Sequence, residues 1–418
     1  RVNENNVSAD VIDHDYVKLV EKVVSEEDFF GRAARNDRES RYPFENMTAL
    51  KSVGVPSMAI HPQFGGPGHN IATRTKVAEV IGYGDPVSAA CTNMHWSALD
   101  LIGPYAFGDP NMAALLRDCA ENQSMFCGAA SAPPDELDVT KVGARFHRVD
   151  GGWLGGGRVG FATNSDGATY VGTIASVVDE EGELVGRKLL VMFVPVGTPG
   201  MIIHDDWNAM GLRGTATNSV TIENAFVPDR YAMVRDLDQA QATFTDDEGE
   251  VQHMAFGLLN LSGGGMQVGH CRRILDYMAG YLRKRKGGIA VAIKGQVALT
   301  RADVGWAQST YGRMSFWVRS ASTVLYDTAA KLSDPHFPQE KRAWISLMAL
   351  YHVRRMTEEV ARESFRLAGA HGIVAASPYE RMYRDLLAQT AIIFKAPEME
   401  EHLGRAELGM DFDPMPGG

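Results

Sequence analysis

The sequence predicts an α+β protein in three consecutive parts. These are an N-terminal α-helical domain over residues 1–122, a middle β-barrel-like domain over 123–232, and a C-terminal four-helix bundle over 233–418. Three observations predict this order. Apolar residues recur at i, i+3 and i+4 spacing in the first part. Between about 124 and 231, polar and apolar residues alternate between glycine and proline turns. After Tyr231, long helical patterns run with few turn signals inside them, which is the pattern of antiparallel bundles.

In the first part, Val17, Val20, Val23 and Val24, followed by Phe29 and Phe30, predict one amphipathic helix over 13–36. Pro43 and the run from Pro62 to Asn70 interrupt the pattern, and helices are predicted over 71–82, 86–103 and 110–122. In the middle part, 145–164 reads as a hairpin around Asp150-Gly151. Residues 179–186 read as a second hairpin tip, and strands are predicted over 188–196, 200–207 and 219–228. The last part predicts helices over 252–284, 296–332, 339–368 and 378–403, then a frayed tail.

The chain has 418 residues, 45% hydrophobic and 22% charged, which is enough to bury a large core. Its formal net charge of −11 argues against a general nucleic-acid binder, which would present a basic surface. No run of about 18 apolar residues occurs, so no membrane span is expected. The chain opens on Arg1 without a charged-then-apolar leader, and a cytoplasmic protein is expected. Cys91, Cys119, Cys127 and Cys271 are too far apart for a C-x-x-C zinc pair and read as free buried thiols, with no metal site expected.

Several short motifs invite a functional reading. Gly155 to Gly160 matches G-x-G-x-x-G, but Phe161-Ala162-Thr163-Asn164 continues a β pattern where a dinucleotide fingerprint must open a helix. The run reads as a glycine-softened hairpin. Gly263, Gly264, Gly265 and Gly269 sit in a helical pattern, where each costs about 0.5–1 kcal/mol relative to alanine. Either close helix packing or a ligand chamber explains them. Arg283-Lys284-Arg285-Lys286 closes a helix, where cations complement the dipole, with phosphate binding as the competing reading.

Taken in order, four segments resemble the acyl-CoA dehydrogenase superfamily. Pro62-Gln63-Phe64-Gly65-Gly66-Pro67-Gly68 is similar to the family's P-x-x-Y-G-G-x-G, and Gly157 to Asn164 to its G-x-K-x-[FW]-[IS]-T-N. Met210-Gly211-Leu212-Arg213-Gly214-Thr215, followed by Val220 to Pro228, resembles M-G-[IL]-R-[GA]-[ST]…V-x-F-[ED]-x-V-x-V-P. Pro378 to Asp385 resembles P-x-[EA]-R-x-[YL]-R-D.

The resemblance implies a flavin, FAD with FMN as the alternative, held between the β-domain and the bundle. Its ring would lie against Ala129, Ala130 and Ser131 and against Phe161, Ala162 and Thr163. Arg285 and Gln296 would bind the pyrophosphate and adenosine side, and the turn Gly369 to Gly372 would reach a neighbouring subunit's flavin, implying a homodimer or homotetramer. The implied activity is hydride transfer from an acyl or acyl-like small substrate, such as a thioester, to the flavin, with an electron-acceptor protein as partner.

Departures from the family pattern open a second reading. Ala130-Ser131-Ala132-Pro133-Pro134-Asp135 replaces T-E-P-G-S-G-S-D, and Gly287-Gly288 replaces the aromatic of R-x-x-F-G. The family's catalytic Glu aligns with Ile392 or Ile393, and its alternative site with Leu259. Losing such a base costs about 10²–10⁴-fold in rate. The alternatives are therefore a two-component monooxygenase fed by a flavin reductase, or a catalytically silent flavin- or ligand-binding scaffold. His95, His270 and Glu398 remain as candidate bases, with Asp246, Asp247 and Glu250 in the preceding loop.

Overall fold

The computed structural model describes residues 11–129, 143–236, 244–245, 251–252, 260–286, 299–392 and 395–410. The first part holds α1 (His14–Glu26), α2 (Phe29–Glu39), α3 (Phe44–Ser52), α4 (Ile71–Gly84), α5 (Pro86–Ile102) and α6 (Pro110–Asn122). The single helix expected over 13–36 is two. Asp28 takes a left-handed conformation (φ 45°) and its carboxylate accepts the Gly31 N–H at 3.1 Å, so it stops α1 and caps α2. Asp85 caps α5 in the same manner, accepting from Val87 and Ser88, with Pro86 pre-set in the first turn. Trp96, Leu50, Ile81 and Met112 fill the core of this part.

The middle part holds β1 (Phe126–Ala129), β2 (Gly143–Val149), β3 (Gly152–Ala162), β4 (Tyr170–Val178), β5 (Leu184–Pro195), β6 (Met201–Ile203), β7 (Asn218–Pro228) and β8 (Ala232–Asp236). They form one eight-stranded sheet in the order β6-β7-β3-β2-β4-β5-β8, with β1 pairing in parallel with β4. The β2–β3 hairpin turns at Asp150-Gly151, where Gly151 has φ 72°. Gly155 lies in β3, not in a phosphate loop, and a Cβ there would sit 2.1 Å from the Arg145 carbonyl on β2. Short strands β9 (Phe244–Thr245) and β10 (Val251–Gln252) pair with each other.

The bundle comprises α7 (Leu261–Lys284), α8 (Gly305–Ser333), α9 (Gln339–Ala368) and α10 (Pro378–Ala391), packed around Val268, Ile274, Met314, Leu325, Val353 and Leu386. α7 starts at Leu261, because Asn260 caps it by accepting the Gly263 N–H at 3.1 Å. The helix expected over 378–403 divides after Ala391, and α11 (Ala396–Glu407) restarts with Pro397 in its first turn. Among the described residues no helix is long and apolar enough to cross a membrane.

The glycines of α7 resolve into packing. A Cβ at Gly265 would meet the Thr75 carbonyl at 2.2 Å, and one at Gly269 the Glu79 carbonyl at 2.0 Å, so α4 and α7 cross backbone to backbone. Gly264 faces Leu325 and Leu350. Gly263 is different: a Cβ there meets only the Asn93 amide nitrogen, at 3.5 Å.

Candidate active site

A wall of hydroxyls lies where β1 and β3 end beside β7. Gly128 forms an isolated antiparallel bridge with Thr163. The β3–β7 register shifts between Val159 and Ala162, and Phe161 has φ 58°. A bulky residue in that region carries strain. The strain presents the Phe161 ring outward, 43% exposed, edge-on to Trp207 at 6.3 Å.

Thr163 Oγ1 lies 2.9 Å from Thr217 Oγ1, which lies 2.7 Å from Thr215 Oγ1, and Thr215 donates to the Leu212 carbonyl at 2.9 Å. The direction of this chain follows from one proton per hydroxyl. Thr215 has spent its proton on Leu212, so Thr217 must donate to Thr215, and Thr163 to Thr217. The Thr163 N–H is taken by the Phe161 carbonyl at 2.9 Å. Thr163 is left with oxygen lone pairs: it accepts.

Other motif residues hold the parts together. Asn164 accepts from the Tyr42 hydroxyl of the first part and donates to the Phe126 carbonyl at 3.0 Å. Arg384 pairs with Asp37 on α2 at 2.6 Å and with Glu380. Asp385, 1% exposed, accepts the Leu212 N–H at 2.7 Å and meets Arg381 at 3.2 Å. Burial raises its carboxyl to about 6, against the pull of Arg381 and of the Leu212 N–H. Both oxygens are engaged.

The three candidate bases are placed elsewhere by the structure. His95 is fully buried: Nδ1 accepts the Phe126 N–H at 3.1 Å, which leaves the proton on Nε2 to donate to the Pro56 carbonyl at 3.1 Å. Burial lowers its pKa to about 3. His270, also buried, lies between α7 and α10 with Nδ1 2.7 Å from the Gln389 amide, and burial beside Arg381 and Arg273 lowers it to about 3. Glu398 is a surface cap of α11, accepting the Lys395 N–H at 2.9 Å and pairing with its ammonium. His95 and Glu398 are fasteners, while His270 is held through Nδ1 alone and its buried Nε2 has no partner.

At the end of α10, Ile392 is 39% exposed, and its carbonyl accepts from the buried Arg354 at 2.7 Å. Arg354 also binds the Gln389 carbonyl, so a guanidinium satisfies the helix end. Ile393, Ser131, Gln296, Ala130, Leu259, Asp246, Asp247 and Glu250 lie outside the described residues.

A second cluster forms at one end of the bundle. Arg285 donates to the His371 ring, whose Nδ1 is 3.1 Å away, and stands over Tyr281 with Arg301. Arg301 donates to the Leu367 carbonyl at 2.8 Å. Gly369 has φ 58°, and a Cβ on Gly372 would lie 2.7 Å from that of Ala368. Arg285, Gly369 and Gly372 are thus brought together within one chain. Ala129 ends β1 beside the Gly128–Thr163 bridge. Sequence reasoning missed Asn93 on α5, whose buried Oδ1 has no partner, and the Thr215–Thr217 pair behind Thr163.

Family models for the acyl-CoA dehydrogenase N-terminal and C-terminal domains match residues 14–113 and 261–395. The putative acyl-CoA dehydrogenase YdbM of Bacillus subtilis is 22% identical over 368 residues, 87% of this chain and 89% of its own. The indole-3-acetate monooxygenase of Pseudomonas putida is 22% identical over 395 residues, 92% of each chain. The crystal structure of TdsC from Paenibacillus sp. A11-2 with FMN and indole superposes with a TM-score of 0.81 at 17% identity, over 97% of this chain and 99% of that one.

Proposed function

Because the chain belongs to the acyl-CoA dehydrogenase family, whose members are flavin-dependent oxidoreductases, we propose that it is a monooxygenase: it oxidises a small organic substrate with reduced flavin and O₂. The observation that carries this reading is the α10 end. Among the described residues it offers no free carboxylate, since Asp385 and Glu398 are committed to holding structure, and the imidazoles of His95 and His270 are buried and held neutral by burial. Abstraction of an α-proton from an acyl thioester needs such a group.

The hydroxyl wall supports the same reading. When bound, the flavin supplies the two electrons that activate O₂. Thr163, with lone pairs left over, suits the ring N–H that reduced flavin carries and oxidised flavin lacks. Phe161 would cover the ring and Thr163 would orient it, with Ala129 at the end of β1 beside them and Ser131 joining them by the family resemblance. Arg285, Gln296, Gly369 and Gly372 would hold a pyrophosphate, which favours FAD over FMN. In a homodimer or homotetramer that cluster would serve the neighbouring subunit. A separate flavin reductase is the implied partner, in the cytoplasm.

Oxidised flavin is loaded and mixed anaerobically with straight-chain acyl-CoA esters. The proposal expects no bleaching over minutes, whereas reduced flavin with O₂ should give oxygenated product from a panel of small aromatic heterocycles. Bleaching by an acyl ester would establish dehydrogenation instead.

A further inference from the structure

α5 spans the space between the hydroxyl wall and the start of α7. Two of its side chains face the wall: Cys91 Sγ lies 3.7 Å from the Thr215 carbonyl, and the Met94 terminal methyl lies 3.3 Å from where a Cβ of Gly128 would stand. Two others face α7. Ser97 Oγ accepts from the Asn260 amide at 2.7 Å, and the Asn93 amide lies against Gly263, 3.5 Å from where a Cβ would be.

Asn93 is only 6% exposed, and its Oδ1 is buried without a hydrogen-bond partner. An orphaned buried acceptor costs stability and calls for an explanation. Next to it is the N-terminus of a 24-residue helix. Asn260 satisfies the Gly263 N–H, while those of Leu261 and Ser262 have no partner within the helix. The corner therefore holds an unfilled acceptor beside a helix N-terminus whose first N–H groups have no partner within the helix, a turn of helix away from the wall. Ser262 Oγ, in the same first turn, is likewise buried and unpartnered.

A group that donates to Asn93 and accepts from a helix N-terminus is a hydroxyl. We infer that Asn93, with the first turn of α7, recognises a hydroxyl on the substrate of the flavin reaction, and so selects hydroxylated molecules over hydrocarbon ones of equal size. This rests on the flavin reading for its place in the reaction, but not for its test. Helix crossing does not demand Gly263, unlike Gly265 and Gly269, since a Cβ there would stand in ordinary contact with the Asn93 amide.

The test is calorimetric binding of 2-naphthol against its methyl isostere, 2-methylnaphthalene, with and without bound FAD. Wild type is expected to prefer the naphthol by about 10-fold or more, the weight of one buried acceptor left unpaired. Asn93→Leu should abolish the preference, and Asn93→Thr, which keeps an oxygen, should retain part of it. The FAD dissociation constant, read by flavin fluorescence, should not move in either variant. Equal affinities in wild type, binding of neither probe, or a preference that survives in Asn93→Leu would each overturn the inference. A chain that binds no flavin yet shows the naphthol preference would sink the monooxygenase reading and leave the hydroxyl site standing.

Discussion

The packed seams of the molecule, between its three parts and within the bundle, differ from the wall beside them in one respect: most of their polar atoms are paired, and the wall is open. At the seams, Asp385, Arg384, Asn164, His95 and His270 engage neighbouring elements with buried or paired polar atoms. At the wall, Phe161 is held outward at positive φ, Thr163 ends with spare lone pairs, and the nearby Asn93 oxygen has no partner. Both regions carry family-like motifs. The lesson is that motif likeness alone does not tell fasteners from candidate flavin contacts, and the two regions differ in how far their polar atoms are already paired. Seam variants should therefore change stability, and wall variants should change flavin behaviour.

The largest stability effect is expected from Asp385→Ala. It removes the acceptor of the Leu212 N–H and leaves Arg381 buried without its carboxylate, which costs about 3–5 kcal/mol. Urea denaturation reads this, and a loss under about 1 kcal/mol would break the account of a closed seam.

Acid should loosen the same seam. His95 and His270 have folded pKa values of about 3 against an ordinary 6.5. The unfolded chain thus takes up their protons first. Their stability is fully present above pH 6.5 and is lost as pH falls towards 3, at about 1.4 kcal/mol per unit for each. Asp385 acts oppositely: its folded value near 6 favours the folded state as pH falls from 6 to about 4. His270→Gln should flatten the acid limb by one proton in a pH series of denaturation curves, and an unchanged slope would contradict the burial argument.

Next in size is Gly269→Ala, whose Cβ would stand 2.0 Å from the Glu79 carbonyl; a loss of about 1–3 kcal/mol is expected. Gly280→Ala, with nothing within 4 Å, should instead gain about 0.5–1 kcal/mol, which makes it the control. Thr163→Val crosses to the wall: stability should fall by about 1 kcal/mol at most, while the rate of flavin reoxidation by O₂ changes about 10-fold. Smallest in stability is Arg285→Ala at the surface, under about 0.5 kcal/mol, with flavin retention weakened about 10-fold by loss of a charged contact. Unchanged retention would return the basic run to a solvated helix end.

The three-part order was legible because two periodicities, 3.6 and 2, alternate along the chain in blocks long enough to read. Helix breaks at Asp28 and after Ala391 were not, since the apolar pattern runs through both and the caps act through single side chains. Thr163 and Phe161 were named by resemblance, as residues proposed to face a flavin. Their hydrogen-bonding state was not legible: the direction of the hydroxyl chain depends on Thr215 reaching the Leu212 carbonyl, a contact that sequence spacing does not reveal. His95 and His270 looked available because a sequence shows a titratable group but not its burial. Asn93 had no motif at all, and what points to it is its orphaned buried oxygen.

The central claim is that the wall works with reduced flavin and no proton-abstracting carboxylate. The most direct measurement is anaerobic stopped-flow absorbance of the oxidised flavin band on mixing with butyryl-CoA and octanoyl-CoA, followed by the same protein with reduced flavin, O₂ and a hydroxylated aromatic. The account predicts an unchanged band in the first experiment and oxygenated product in the second. Rapid loss of the band in the first, with enoyl-CoA formed, would contradict it.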